Sequence, residues 1–581
     1  MYSQRCHVGR CLHTTTDSPV LDKTIPFRKQ LKDEAKQRKA EGLGKKSKKD
    51  NQKLDDWELT VGIEIHAQLN TARKLFSPAA STINDDPNTH VALFDVAMPG
   101  SQPIFQKETL IPALRAALAL NCDIQTTSKF DRKHYFHWDQ PAGYQITQYY
   151  EPFAKNGYIT LYAHDGIAKE DGEEIKIGIK QVQMEQDTAK TISQPGDIHL
   201  LDFNRVGLPL IEIITLPHIH HPSTAAALVR KVQILLNAVD SCVLGMQSGG
   251  LRADVNVSVR RRDGNEDTHE YAGVTGLGQR TEIKNLSSFK AVEDAIIAER
   301  DRQIEVLESG GVIEGETRGW TIGSNETRRL RGKEGEVDYR YMPDPDIGPV
   351  IIGKDLIDYL RTNLGVLPDQ ELQDLVDTYG LTMKDAMSLV SQDAGGRAEY
   401  FMNTVDAFLR MSPEVNLKIA GKLCGNWVLH EMGGLKYDLA DDETISPLQI
   451  TPEGESPIIK HEDLASLIYY LHANKITGAT AKKVLASLFA NGIASECVET
   501  AAIIEAEQWW FTPLSEAQYE DLARGVLDEK VVLEVLSGKK QKVKFLLGQM
   551  MRSDRDGKVD PMKATEVLNR LIEEYKVDKG L

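Results

Sequence analysis

From Leu251 to Arg260 apolar and polar residues alternate without a break. Leu251, Ala253, Val255, Val257 and Val259 take one side; Arg252, Asp254, Asn256, Ser258 and Arg260 take the other. Only an extended chain has a period of two, so this segment is expected to be a strand with one core face and one polar face. The pattern recurs from Val61 to Gln68, where Val61, Ile63, Ile65 and Ala67 oppose Glu64, His66 and Gln68. Further on, Ile175, Ile177 and Ile179 alternate, after which Gln181, Gln183, Glu185 and Asp187 keep that parity and Val182 and Met184 take the other. The phase change near Lys180 predicts a bulge or the rim of a curved sheet, where side chains are re-aimed. A fourth apolar run, Gly207 to Thr215, holds Glu212 at its centre. A lone buried carboxylate is costly unless it meets a cation or hydrogen-bond donors. An arginine ion pair would satisfy Glu212 as well as a bound metal would. Glu64 and His66, two apart on a strand, could both reach one cation or phosphate, but a solvated strand face has the same pattern.

Thr281 to Lys290 runs from a short strand through Asn285 and Ser287 into a helix expected to end near Gly310. Its N-terminus could hold an anion or be an ordinary cap. From about Asp355 the apolar spacing becomes helical, as in Asp463 to Leu471 and Ala479 to Phe489. Strands first and helices after predict an α+β protein. At 581 residues two or three domains are expected. No stretch approaches the roughly 20 apolar residues that cross a bilayer. A formal charge of −17 argues against indiscriminate coating of nucleic acid, so any RNA contact must be local. The six cysteines, at 6, 11, 122, 242, 424 and 497, form neither a CxxC pair nor a dense framework, which fits a reducing compartment. The first sixteen residues carry Arg5, His7, Arg10 and His13 with no acid before Asp17. That is the pattern of a mitochondrial transit peptide, or of a disordered basic terminus. Arg28 to Asp50 is a charged linker, and folding is expected to begin near Trp57. There is no P-loop, and Gly276-Leu-Gly278 is too short for a dinucleotide fingerprint.

Longer motifs carry a resemblance. VGIEIHAQLNTARKLFS (61–77), SKFDRKHYFHWDQPAGYQITQYY (128–150), QMEQDTAK (183–190), DFNRVGLPLIEI (202–213), LRADVNVSV (251–259), EIKNLSSFKAVEDAI (282–296), ETRGW (316–320) and DYRYMPDPDIGP (338–349) closely resemble the GatB family. That family is the B subunit of aspartyl/glutamyl-tRNA amidotransferase. The resemblance implies an antiparallel-sheet cradle, an all-helical region and a small YqeY-like helical tail. The expected division is transit peptide 1–28, charged linker 29–56, cradle 57–352, helical domain 353–507 and tail 508–581.

The resemblance also implies the chemistry. ATP would phosphorylate the side-chain carboxylate of a glutamate carried by tRNA(Gln), and ammonia would displace the phosphate. Glu64, His66, Glu185 and Glu212 match the family's catalytic, metal-binding positions and would hold Mg2+. Arg252 and Lys284 would neutralise ATP phosphate, and Tyr144 and Gln145 would meet the aminoacyl end. Lys539, Lys540, Lys542, Lys544 and Arg552 would contact the tRNA body, although a solvated helix face has the same composition. The chain has no amidase motif, so ammonia would come from an amidase (A) subunit, in a heterotrimer with a small third subunit of the mitochondrial matrix. Two departures stand out. The family's cysteine pairs after the KLF motif are missing, so no zinc is expected. The run often written Glu-Glu-Asp in the family reads Glu185-Gln186-Asp187 here, so one acid is missing and Gln186 has no ligand role. A tRNA-binding scaffold with decayed catalysis, and a free-standing ligase or metallohydrolase, are the alternatives; retention of Glu64, His66, Glu185 and Glu212 favours the working site.

Overall fold

The computed structural model describes residues 54–578 except 83, 197, 244, 247–248, 263–268, 332–338, 436–447, 496–497, 512–513, 537–540 and 554–558. The expected transit peptide, nearly all of the charged linker, and Lys539 and Lys540 lie outside the described residues.

In chain order the strands that build the site are β1 (Trp57–Gln68), β2 (Asp123–Ile124), β3 (Asp131–His134), β4 (Tyr144–Thr147), β5 (Ala154–Tyr162) and β6 (Glu174–Gln186). They continue with β7 (Pro209–Thr215), β8 (Leu251–Arg261), β9 (Thr281–Leu286), β10 (Thr317–Trp320), β11 (Thr327–Arg331) and β12 (Met342–Pro343). Nine of them form one sheet in the order β11-β10-β9-β8-β1-β7-β6-β5-β2. Neighbours are antiparallel except β9 and β10, which run parallel. Strand β1 lies at the centre because both its edges are used: β7 on one side, β8 on the other.

The alternation read from the sequence is the alternation of burial. Val61, Ile65, Ala67, Val255, Val257, Ile211 and Ile213 are fully buried on one face. Helices α2 (Pro222–Ala238) and α3 (Phe289–Glu308) cover that face with Leu228, Val229, Val232, Val292, Ala295 and Ile296; α1 (Leu110–Ala119) completes the layer. Proline at the start of α2 and Ser288, whose side chain accepts from the Ala291 N–H, mark two of these helix starts. The phase change near Lys180 is a bulge: the β6–β7 register slips between Ile214 and Thr215. Ile177 and Ile179 before the slip and Val182 and Met184 after it all stay in the core. Gly278 lets the hairpin 269–277 press onto β8, since a Cβ there would lie 2.2 Å from the Val259 carbonyl oxygen.

Where the cysteine pairs are missing, a buried ion pair ties the loop together. Lys74 Nζ is 3.0 Å from Asp95 Oδ2, and Ser77 Oγ and the Ala92 N–H also donate to that oxygen.

Strands β12, β3 and β4 form a second, small sheet. It is laid over the polar face of β6, where the Met184 N–H donates to Gln148 and the Ile146 N–H to Gln186. Gln186, the residue standing in for an acid, therefore links the two sheets.

Beyond the sheets the chain is helical. Helix α4 (Lys354–Thr362) still packs Ile357 and Leu360 into the sheet core. A second apolar cluster runs from Leu372 to Ile504 and a third from Tyr519 to Ile572. Among the described residues no helix is long and apolar enough to cross a membrane.

Candidate active site

The strand registers decide which polar residues meet. His66 sits directly opposite Glu212 on β7 and Arg252 on β8. One strand further, Glu212 is opposite Gln183 and Leu210 is opposite Glu185. One ligand atom each of His66, Glu185 and Glu212 therefore lies within 4.8 Å of the others. His66 Nε2 is 3.9 Å from Glu212 Oε1. Gln183 Nε2 donates to Glu212 Oε2 at 2.7 Å, and Gln145 Nε2 donates to Glu185 Oε1 at 2.9 Å and to the Gln186 carbonyl. Glu185 Oε2 is buried and accepts no hydrogen bond. Burial, reinforced by the Glu185 carboxylate, pushes Glu212 up to about 7, against the opposing pull of Lys133 and Gln183. Two crowded buried carboxylates, one orphaned oxygen and an imidazole form a donor set that fits a hard divalent cation.

Glu64 stands apart from this trio. Two residues along a strand is roughly 7 Å, and Glu64 faces Asp254, with Asn256 Nδ2 donating to it at 3.0 Å. Burial, then Glu212 and Glu282, raise its carboxyl. Glu64 also lines a cavity of about 350 Å³, walled by Thr60, Asn256, Ser258, Tyr271 and Arg280.

The two cations expected on phosphate already have carboxylate partners. Arg252 Nη2 donates to both carboxylate oxygens of Asp187, at 3.0 and 2.9 Å. Burial raises Asp187, but Arg252 and Arg205 outweigh it and hold its carboxyl below the usual range. Lys284 Nζ lies 3.2 Å from Asp254 and 2.7 Å from Glu282. Desolvation pulls Lys284 down, and these two acids overturn that, leaving it above the ordinary lysine range.

Tyr144 and Gln145 separate, because adjacent strand residues point to opposite faces. Gln145 faces Glu185, whereas Tyr144 lies against Arg132, whose guanidinium carbon is 4.3 Å from the ring centroid. The residue missed from sequence is Lys133, directly opposite Gln145. Its Nζ is 3.7 Å from Glu185 Oε2. Desolvation lowers Lys133, and Glu185 and Glu212 more than reverse this, so it stays protonated. A four-residue strand is too short to reveal its face by periodicity; only its placement in the motif 128–150 could have singled it out. Of the tail residues described, Lys544 and Arg552 are exposed on helix Lys542–Ser553, and Lys542 pairs with Glu534 at 3.2 Å.

Gln145 orients one carboxylate of the trio, donating to Glu185 Oε1, without being a member of it. Gln145→Leu is expected to weaken Mn2+ binding roughly 10- to 100-fold with the fold intact, measured by paramagnetic resonance titration; unchanged affinity would remove it from this role.

Fold and site define an α+β protein whose central, mainly antiparallel sheet presents buried acids, an imidazole and fixed cations on one face. Residues 59–358 match the family model described as the GatB/GatE catalytic domain, and residues 415–572 match the GatB domain. The chain belongs to the GatB family. It is similar to the mitochondrial glutamyl-tRNA(Gln) amidotransferase B subunit of Verticillium alfalfae, 59% identical across 97% of this chain and 90% of the relative. The proteins of the same name in Neurospora crassa and Aspergillus fumigatus are 58% and 55% identical, each over 97% of this chain and over 89% and 92% of their own lengths.

Proposed function

We propose that this chain is the B subunit of a mitochondrial glutamyl-tRNA(Gln) amidotransferase, and that it activates the glutamyl side chain for amidation. The observation that carries the site assignment is the convergence of His66, Glu185 and Glu212, with a buried oxygen of Glu185 left without a hydrogen bond.

In this reading a glutamate side-chain oxygen attacks the γ-phosphorus of ATP and ADP leaves. Ammonia then attacks the acyl carbon, phosphate departs with the bonding pair, and the amide remains. His66, Glu185 and Glu212 would hold Mg2+, which when bound neutralises charge on phosphate oxygens. Lys133 supplies the fixed positive charge nearest the trio and faces the transferred phosphoryl group. Lys284 and Arg252 are held by Asp254, Glu282 and Asp187, so they act as oriented, partly neutralised cations. Glu64 and the cavity beside it are assigned to the nucleotide, in line with a cleft size common for small ligands. Gln145 positions Glu185, and Tyr144 supports the hairpin around Arg132 without reaching the acids.

The remaining assignments follow the family. An amidase subunit supplies ammonia, a small third subunit completes the heterotrimer in the matrix, and residues 1–28 direct import. Three separate apolar clusters support division into a cradle, a helical domain and a tail. Lys544 and Arg552 on the tail helix support contact with the tRNA body.

The test is a His66→Ala complex titrated with Mn2+. At least a tenfold loss of affinity, together with loss of glutamine-dependent Gln-tRNA formation, is expected. Wild-type affinity with wild-type turnover would overturn the assigned site.

A further inference from the structure

One flank of the acid site is aromatic, and the carboxylate chemistry makes no use of it. Tyr149 and Tyr341 stack face to face, with centroids 3.9 Å apart and planes 9° from parallel. Tyr339 and Tyr150 meet Tyr341 edge-on at 5.8 and 6.4 Å. Lys133 joins this group to the acids: its Nζ lies 5.2 Å from the Tyr339 centroid and 3.7 Å from Glu185 Oε2. Aromatic rings are normally drawn into the core, yet Tyr149 and Tyr150 remain 46% and 56% exposed.

The cations on the same small sheet and just before it are already engaged. Lys129 pairs with Glu151 at 3.0 Å, and Arg132 with Asp344 and Asp346 at 2.8 Å each. In a chain of formal charge −17, this leaves little local positive charge for gripping phosphates. Stacking is the other way to hold an unpaired nucleotide, and it works for any base because every base has a π-face.

We infer that the Tyr149–Tyr341 stack seats the last unpaired nucleobase at the 3′ end of the tRNA, directing its ester-linked glutamate past Lys133 towards Glu185. This rests on the carboxylate-activating reading and adds to it a binding element separate from the acids. The base packs on the exposed Tyr149 ring, Tyr341 stiffens that ring from behind, and Tyr150 and Tyr339 limit its tilt. Binding at this point should depend weakly on salt, whereas contact to the tRNA body should depend on it strongly.

The test uses the assembled complex and a tRNA(Gln) transcript carrying 2-aminopurine in place of the terminal adenine. Stacking quenches this fluorophore. Wild type and Tyr149→Phe are expected to quench it. Tyr149→Leu should not, and should weaken binding roughly tenfold, with KM rising more than kcat falls. Equal quenching by Tyr149→Leu and wild type would overturn the inference. So would failure of Tyr149→Leu to co-purify with the amidase partner, because the cluster would then be a protein interface. A Glu185→Gln complex separates the two readings: it should quench normally while losing amidation. Normal amidation by that variant would sink the acid site and leave the stacking result standing.

Discussion

Replacing Glu212 with glutamine is expected to make the metal-free protein more stable while abolishing carboxylate activation. The Glu212 carboxyl is pushed from its ordinary 4.5 to about 7, first by burial and then by Glu185. A carboxyl raised in the folded state binds a proton there that the unfolded chain has already released. The penalty is therefore absent below pH 4.5, grows as pH rises towards 7, and is constant above that, at on the order of 3 kcal/mol. Glutamine keeps the shape and can still accept from Gln183, but carries no charge to desolvate and none to repel Glu185. Melting in chelator should show a gain at pH 8 that shrinks at pH 5; an equal gain at both would mean that charge is not the cause. Turnover of the assembled complex should fall roughly 100- to 1,000-fold. Sites that hold cations are commonly destabilised until the cation arrives, and this substitution measures how much of that burden one residue carries.

Glu212 was legible in the sequence because a single acid inside an apolar run has few inexpensive explanations. The bulge at Lys180 was legible for a related reason: a core face must stay apolar, so a flipped pattern requires an extra residue in the ladder. The meeting of His66 with Glu212 was not, because alternation assigns faces and says nothing about which strands are neighbours. Glu64 and His66 share a face, and only the register puts His66 opposite Glu212 and Glu64 opposite Asp254. Arg252 was recognisable as a polar-face cation, but its partner Asp187 is 65 residues away in the chain. That contact needs the whole strand order β8-β1-β7-β6 to be known. Tyr144 and Gln145 share one motif, yet the pleat of a short strand sends them to opposite sides. The helical half was easier to read, since each helix carries its own period and many starts carry their own cap, as Thr382, Asn416, Thr477 and Ser515 do. Tertiary pairing, which sequence pattern does not encode locally, is what brings scattered polar residues together as a site.

Lys133→Met should separate charge stabilisation during phosphoryl transfer from metal binding, because the two are expected to move in opposite directions. The Lys133 side chain is 21% exposed and the Glu185 side chain 3%, so their attraction is only partly screened. A unit charge about 4 Å away contributes roughly 4 kcal/mol at an effective dielectric of about 20, which bounds the loss near 1,000-fold in kcat. Methionine fills similar space without charge, leaving Glu185 and Glu212 without their nearest cation. The site then becomes more negative, and Mn2+ affinity should hold or rise while turnover collapses. Lys133→Arg should recover part of the turnover, because it restores the charge with a different reach. A ligand or a mere structural support would behave otherwise: losing it would weaken Mn2+ binding along with activity. Single-turnover measurement of ATP-dependent carboxylate activation, set beside the Mn2+ titration of the same complex, decides between them. If affinity falls tenfold and the chemical step is unchanged, Lys133 only organises the acids, and the charge that meets the transferred phosphoryl must come from Lys284 or Arg252 breaking away from Asp254, Glu282 and Asp187.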